Sequence, residues 1–153
     1  MAGMGAALLA LTAPAGAQPV GATDVPTLIA YEVAGDAITG PLGGTRGDAD
    51  RGAKLVAERQ KSLCVLCHSG PFPDPHLQGN LAPDLKGVGV RLSEGQIRLR
   101  VVDMKRLNPA SIMPAYYGLP AGERVAATWR GRPILEPGEI EDIVAYLVTL
   151  KDE

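Results

Sequence analysis

Cys64-Val65-Leu66-Cys67-His68 holds both cysteines of this 153-residue chain and one of its two histidines. Two cysteines separated by two residues and followed by a histidine are typical of covalent haem c attachment. On a helical turn, the first, fourth and fifth of these positions fall within an arc of about 100°. We therefore predict one haem c, bonded through thioethers to Cys64 and Cys67, with His68 as an axial ligand of the iron.

Three other interpretations of this motif fit less well. A structural zinc site needs four ligands, and His76 is the remaining histidine, but His68 directly after Cys67 departs from the usual two-pair spacing. A thioredoxin-like pair would follow a strand in a βαβ unit, and no strand pattern precedes Cys64. A disulfide between residues three apart would be strained. We expect His76 to lie in a surface loop rather than to bind iron.

Composition favours one compact domain built around a cofactor. The length suits a single domain with some extra chain, but only 4% of the residues are aromatic. A bound porphyrin would compensate as a large, flat, apolar centre. The net charge of −2 argues against a nucleic-acid-binding protein.

The first 17 residues carry no charge and predict a secretory signal peptide. Gly5–Ala13 is apolar, and Ala15-Gly16-Ala17 resembles a signal peptidase site. The apolar run is too short to span a membrane, which takes about 20 residues. Because the first basic residue is Arg46, we expect the true start upstream and the mature chain to begin near Gln18. Haem c is attached outside the cytoplasm in bacteria, so we predict a periplasmic protein.

The remainder divides into an arm, residues 18–47, and a domain, residues 48–153. The arm is rich in glycine, proline and alanine, has no sustained helical period, and is predicted to pack on a partner or on the domain. The domain has three main predicted helices. Asp48 or Asp50 caps the first, Ser93 with Gln96 forms a capping box for the second, and Pro137 suits the first turn of the last.

The charges of these helices have predicted roles at the surface. Basic residues of the second helix and the segment after it are typical of a solvated face, with partner docking or haem-propionate pairing as alternatives; they are Arg98, Arg100, Lys105 and Arg106. Acidic residues near the start of the last helix complement its positive end; they are Glu139, Glu141 and Asp142. The last helix also has an apolar stripe, formed by Ile140, Ile143, Val144, Leu147 and Leu150.

The second axial ligand is predicted to be a methionine. Met104 falls on the apolar face of the second helix with Ile97 and Val101, so we expect it in the core. Met113 precedes Pro114, which disfavours helical backbone, and a loop there can bring the thioether to the iron. We also expect the carbonyl of Pro83 to accept a hydrogen bond from the ring of His68. Iron with both axial positions filled favours one-electron transfer over oxygen chemistry.

These motifs together resemble class I cytochromes c over residues 48–152. The matching features are the first helix, the haem motif, Pro83-Asp84-Leu85, Met113-Pro114 and the final amphipathic helix. The resemblance implies an all-α fold, with long loops around one covalent haem. It also implies contact between Gly52 of the first helix and Tyr146 of the last. The loop before Pro83 is longer here than in the smallest members.

A closer resemblance is to the SoxX family, the monohaem subunits of SoxAX cytochromes. It rests on Gly79-Asn80-Leu81-Ala82-Pro83-Asp84-Leu85, on Leu107-Asn108-Pro109-Ala110-Ser111-Ile112-Met113-Pro114-Ala115-Tyr116-Tyr117, and on matches in the arm. It implies a non-catalytic electron-transfer subunit of a heterodimeric L-cysteine S-thiosulfotransferase. That enzyme couples thiosulfate to the carrier cysteine of SoxYZ. The reactive cysteine-ligated haem would belong to a monohaem or dihaem SoxA partner.

In this interpretation electrons leave through a small periplasmic cytochrome c. The chain itself would have no catalytic residue, because haem attachment consumes both of its cysteines. The alternative is a freestanding periplasmic class I cytochrome c that shuttles electrons without an enzymatic partner. We expect Tyr116, Tyr117 and Trp129 to pack near the haem edge, with a surface position for one tyrosine as the alternative.

Overall fold

The structure is a computed structural model that describes Met1, residues 28–120 and residues 124–151. Residues 2–17 of the predicted signal peptide and residues 18–27 of the arm lie outside this part. The described helices are α1 (Ala49–Ala57), α2 (Cys64–Cys67), α3 (Val88–Arg91), α4 (Glu94–Asp103) and α5 (Pro137–Leu147). The three long ones, α1, α4 and α5, are the three predicted helices. Each of the described helices is too short or too polar to cross a lipid bilayer.

The arm contains a short hairpin that was not predicted. Strand β1 (Val33–Ala34) pairs antiparallel with β2 (Ala37–Ile38), and Gly35 in the turn has a φ of 62°. The end of the hairpin and the next turn are anchored in the core, since Ile38 and Leu42 are 2% and 4% exposed. The described part of the arm therefore packs on its own domain.

Helix α1 crosses α5 at very short range. Asp48 caps α1 as predicted, its carboxylate accepting a hydrogen bond from the amide of Arg51 at 2.8 Å. A Cβ atom on Gly52 would lie 1.9 Å from the carbonyl oxygen of Asp142 and 2.8 Å from Cβ of Tyr146. The predicted contact between Gly52 and Tyr146 is confirmed. A Cβ atom on Gly47 would likewise lie 2.0 Å from the backbone of Glu141, a second close approach that the sequence pattern did not predict.

Helix α4 begins with the predicted capping box. The amide of Gln96 donates to Ser93 Oγ at 3.3 Å, and the amide of Ser93 donates to the Gln96 side chain at 2.9 Å. Ile97 and Val101 are buried as expected. Met104 departs from the prediction, because α4 ends at Asp103 and Met104 opens a 3-10 turn, where it is only partly buried.

The charge predictions hold for Lys105 and Arg106, which are exposed, and for Glu139, which lies in the first turn of α5. They are wrong at Arg98, Glu141 and Asp142. Arg98 is 1% exposed, and its guanidinium donates to both carboxylate oxygens of Glu141, at 2.8 and 2.9 Å. Glu141 is 2% exposed, so it pairs with Arg98 in the core instead of serving the helix end. Asp142 is likewise buried and accepts hydrogen bonds from the Arg51 side chain and the Asp48 amide. Tertiary pairing makes these burials possible, because a buried charge needs a partner.

The buried ion pair also holds the arm. Arg98 Nη1 donates to the carbonyl of Ile38 at 2.9 Å, and the amide of Leu42 donates to Glu141 Oε1 at 2.9 Å. Every buried side-chain nitrogen and oxygen of the described residues has a hydrogen-bond partner. The arm, α4 and α5 are therefore joined by one saturated polar network within an apolar core.

Candidate haem site

Both cysteines lie on the single turn of α2. Cys64 begins the turn and Cys67 ends it, and the amide of His68 donates to the carbonyl of Cys64 at 2.9 Å. Leu63, immediately before the turn, has a left-handed backbone with a φ of 62°. The cysteines are free and partly buried. Two thiols and an imidazole are thereby presented within five consecutive residues.

The long loop after α2 is ordered by hydrogen bonds back to the haem motif. The amides of Gly79, Ala82 and Leu85 donate to the carbonyls of Val65, Cys67 and Ser69, at 2.8, 2.9 and 2.9 Å. A Cβ atom on Gly79 would lie 2.1 Å from the carbonyl oxygen of Leu66, so only glycine fits this approach. The loop runs beside the motif and brings Pro83 to it.

The ring of His68 meets the carbonyl of Pro83. Nδ1 of His68 lies 2.7 Å from that oxygen, which is the contact expected from the sequence. A carbonyl can only accept, so Nδ1 carries the proton and Nε2 keeps a free lone pair. This tautomer leaves Nε2 suited to bind a metal.

Asp84 holds this loop, a role that was not predicted from the sequence. Its carboxylate accepts hydrogen bonds from Ser69 Oγ and from the amide of Lys86, both at 2.6 Å. The hydrogen bond from Ser69 is the main cause that lowers the pKa of Asp84. Arg91 also donates to the carbonyl of Asp84 at 2.9 Å. An Asp after a proline commonly forms a turn, so the sequence did contain a signal for this role of Asp84.

The environment of Cys64 does not favour a redox or zinc site. Burial raises the pKa of the Cys64 thiol, whereas reactive CxxC cysteines have lowered values. His76 lies exposed in a 3-10 turn, Pro75–Leu77, as expected. Among the described residues, no group of three or more His, Cys, Asp and Glu side chains is arranged to hold a metal ion.

Met113 lies on a separate loop, after α4. Its side chain is partly buried and packs on the core, and its amide donates to Ser111 Oγ at 3.2 Å. The next residues are deeply buried, Tyr116 at 4% and Tyr117 at 3% exposure, whereas Trp129 is 40% exposed. The hydroxyl of Tyr116 donates to the carbonyl of Ser62, just before the haem motif.

The donor set fits a haem c. Two free thiols lie on one turn, the imidazole beside them has its Nδ1 occupied and its Nε2 free, and a thioether lies on a loop tied to the same segment. Thiols at these positions suit thioether bonds, while imidazole and thioether are ordinary axial ligands of haem iron. The structure thus presents Cys64, Cys67 and His68 from one short motif and brings the loop that carries Pro83 into contact with it.

No protein-family model and no curated protein matches the chain. A solved structure does match it, namely the crystal structure of SoxXA from P. pantotrophus. The matched chain has 32% sequence identity and a TM-score of 0.72, and the match covers 80% of this chain and 95% of that chain. The similarity confirms the predicted all-α, cytochrome c-like fold.

Proposed function

This chain belongs to the family of the SoxXA chain that it matches, and on that basis we propose that it is a SoxX subunit with one covalent haem c. The observation that carries the proposal is the match over 95% of that chain at 32% identity. Cys64 and Cys67 would hold the haem, and His68 and Met113 would bind its iron. Such a haem, when bound, supplies one-electron exchange.

The residues of this chain suit electron transfer rather than sulfur chemistry. Cys64 and Cys67 are its only cysteines, so none is left to act as a nucleophile once both hold haem. The Pro83 carbonyl keeps the His68 ring oriented as a ligand. A SoxA partner would therefore carry the reactive cysteine-ligated haem, as the non-identical subunit of a thiosulfate-oxidising heterodimer.

The proposed reaction requires an electron exit. Thiosulfate joins the thiol of the SoxYZ carrier cysteine through a new S–S bond, and the thiol proton and two electrons are released. This subunit would take the electrons one at a time and pass them to a small cytochrome c in the periplasm. Export through a signal peptide at residues 1–17 belongs to the same proposal.

Co-production with a SoxA cytochrome tests the partnership. We expect a heterodimer on gel filtration, and reduction of the haem of this chain by thiosulfate only when SoxYZ is also present. Omission of SoxYZ is the control, since it removes the acceptor thiol. A monomer that captures no SoxA and still exchanges electrons with small cytochromes would instead establish the freestanding shuttle.

Replacement of Met113 tests the sixth ligand. Met113→Ala is expected to abolish the weak methionine-to-iron absorption band of the oxidised protein and to lower its reduction potential, because a soft thioether favours ferrous iron. Met104→Ala is the matched control, as Met104 is the other methionine among the described residues beyond Met1. Survival of the band in Met113→Ala and its loss in Met104→Ala would reverse the assignment.

A further inference from the structure

Backbone hydrogen bonds to two other segments of the chain hold Tyr116 in place. It lies three residues after Met113, and its ring is buried at 4% exposure. Its carbonyl accepts a hydrogen bond from the amide of Leu135 at 3.1 Å, and the following amide, of Tyr117, donates to the carbonyl of Val102 at 3.2 Å. The direction of the phenol is therefore set by the core and not by solvent.

The hydroxyl of Tyr116 reaches the segment that leads into the haem motif. It donates to the carbonyl of Ser62, a residue with 0% exposure. The side chain of Ser62 in turn donates to the carbonyls of Leu55 and Glu58 at the end of α1. Cys64 Sγ lies 3.7 Å from the same Ser62 carbonyl oxygen. Tyr116 thus contacts the residue that positions both the end of α1 and the first thiol.

The Tyr116 hydroxyl links the two halves of the site. Of the described hydrogen bonds that end on an oxygen atom, its bond to Ser62 alone joins the segment 107–120, which carries Met113, to the segment 58–68, which carries the haem motif. The same hydroxyl also interacts with the Cys64 thiol. A thioether sulfur cannot donate a hydrogen bond. Once Cys64 is bonded to haem, the Ser62 carbonyl therefore keeps Tyr116 as its side-chain donor.

We propose that Tyr116 is a positioning residue that holds the Met113 loop against the Cys64 turn and so favours methionine on the iron. The inference rests on the proposed ligation by His68 and Met113. Without the hydroxyl, the Ser62 carbonyl stays buried and unpaired in the closed form, and opening of the loop becomes easier.

Competition by imidazole in the oxidised holoprotein measures this opening, because imidazole binds the iron only where Met113 has left it. We expect Tyr116→Phe to raise the apparent affinity for imidazole about tenfold, the effect of one buried hydrogen bond. Met113→Ala sets the upper limit of the affinity for imidazole, because it has no methionine to displace from the iron. Tyr117→Phe is the matched control: Tyr117 is equally buried, but its hydroxyl accepts from the amide of Ile29 in the arm, at 2.8 Å.

The outcomes separate this proposal from the proposed function. An unaltered holoprotein without the methionine band overturns the ligation and, with it, the role of Tyr116. A normal band with equal imidazole affinities for Tyr116→Phe and Tyr117→Phe overturns the role of Tyr116 alone. We expect Tyr116→Phe and Tyr117→Phe to lose equal global stability, measured as unfolding followed by circular dichroism. A merely structural role of Tyr116 would change only this stability and leave the affinity for imidazole unaltered.

If the Tyr116→Phe protein does not accumulate, a measurement on the unaltered protein tests the proposal instead. We expect the Tyr116 hydroxyl proton to exchange slowly with solvent in nuclear magnetic resonance spectra of the methionine-ligated form. Saturation with imidazole should accelerate that exchange at least several-fold. Unchanged exchange would mean that Tyr116 stays bonded to Ser62 when Met113 leaves, which overturns the proposal.

Discussion

Arg98→Met is expected to lower the free energy of unfolding by about 3–5 kcal/mol, because it leaves the Glu141 carboxylate buried without its cation. The two side chains are 1% and 2% exposed, and the guanidinium donates to both carboxylate oxygens. The substitution also removes the donor for the carbonyl of Ile38. Guanidinium chloride titration of the haem-loaded protein measures the loss.

Arg100→Met is the matched control on the same helix. Arg100 is partly exposed and lies 3.6 Å from Asp36, so its removal should cost less than about 1 kcal/mol. The double variant Arg98→Met with Glu141→Leu should regain part of the stability, because it leaves no unpaired charge. If Arg98→Met stays within about 1 kcal/mol of the unaltered protein, the Glu141 carboxylate does not depend on Arg98 for its burial.

Gly52→Ala is expected to destabilise the protein by about 3 kcal/mol or more, through overpacking against backbone that cannot move aside. The new Cβ would lie 1.9 Å from the carbonyl oxygen of Asp142, so α1 and α5 would have to separate. In an unhindered helix the same change stabilises by up to about 1 kcal/mol. The sign of the effect therefore reports the helix crossing, and thermal unfolding followed by circular dichroism measures it.

Gly138→Ala provides the comparison for this second substitution. Gly138 lies in the first turn of α5, and nothing lies within 4 Å of a Cβ atom built on it. We expect Gly138→Ala to leave the thermal midpoint unchanged or slightly raised. A Gly52→Ala protein with an unchanged midpoint would contradict the close crossing of α1 and α5.

Local chemistry made much of the fold predictable. The caps at Asp48 and Ser93 depend on residues within three positions of each other, so their pattern is complete in a short stretch of sequence. The apolar stripe of α5 is equally local, and Ile140, Ile143, Val144 and Leu147 are buried as predicted. The haem motif belongs to this class as well, since the spacing within one helical turn brings its two thiols and imidazole together.

The resemblance to known cytochromes carried the prediction further than local pattern. It implied the contact between Gly52 and Tyr146, which are far apart in sequence, and that contact is present. The contact between the ring of His68 and the Pro83 carbonyl is present too, at 2.7 Å. The extra length of the loop before Pro83 did not prevent it, because Gly79, Ala82 and Leu85 attach that loop to the motif.

Amino-acid order alone was sufficient for features whose partners lie within a turn or two: the haem motif, the helix caps and the apolar stripe. Only the tertiary structure decided which charged side chains are buried. Arg98, Glu141 and Asp142 look like surface residues in a helical pattern, because propensity describes each residue only relative to its own helix. The buried pair of Arg98 with Glu141 spans 43 residues, and the pair of the buried Asp142 with the exposed Arg51 spans 91. A buried charge is stable only when its partner is brought to it. The hydrogen bond from Tyr116 to Ser62 has the same origin, since it spans 54 residues and exists only after the two loops meet.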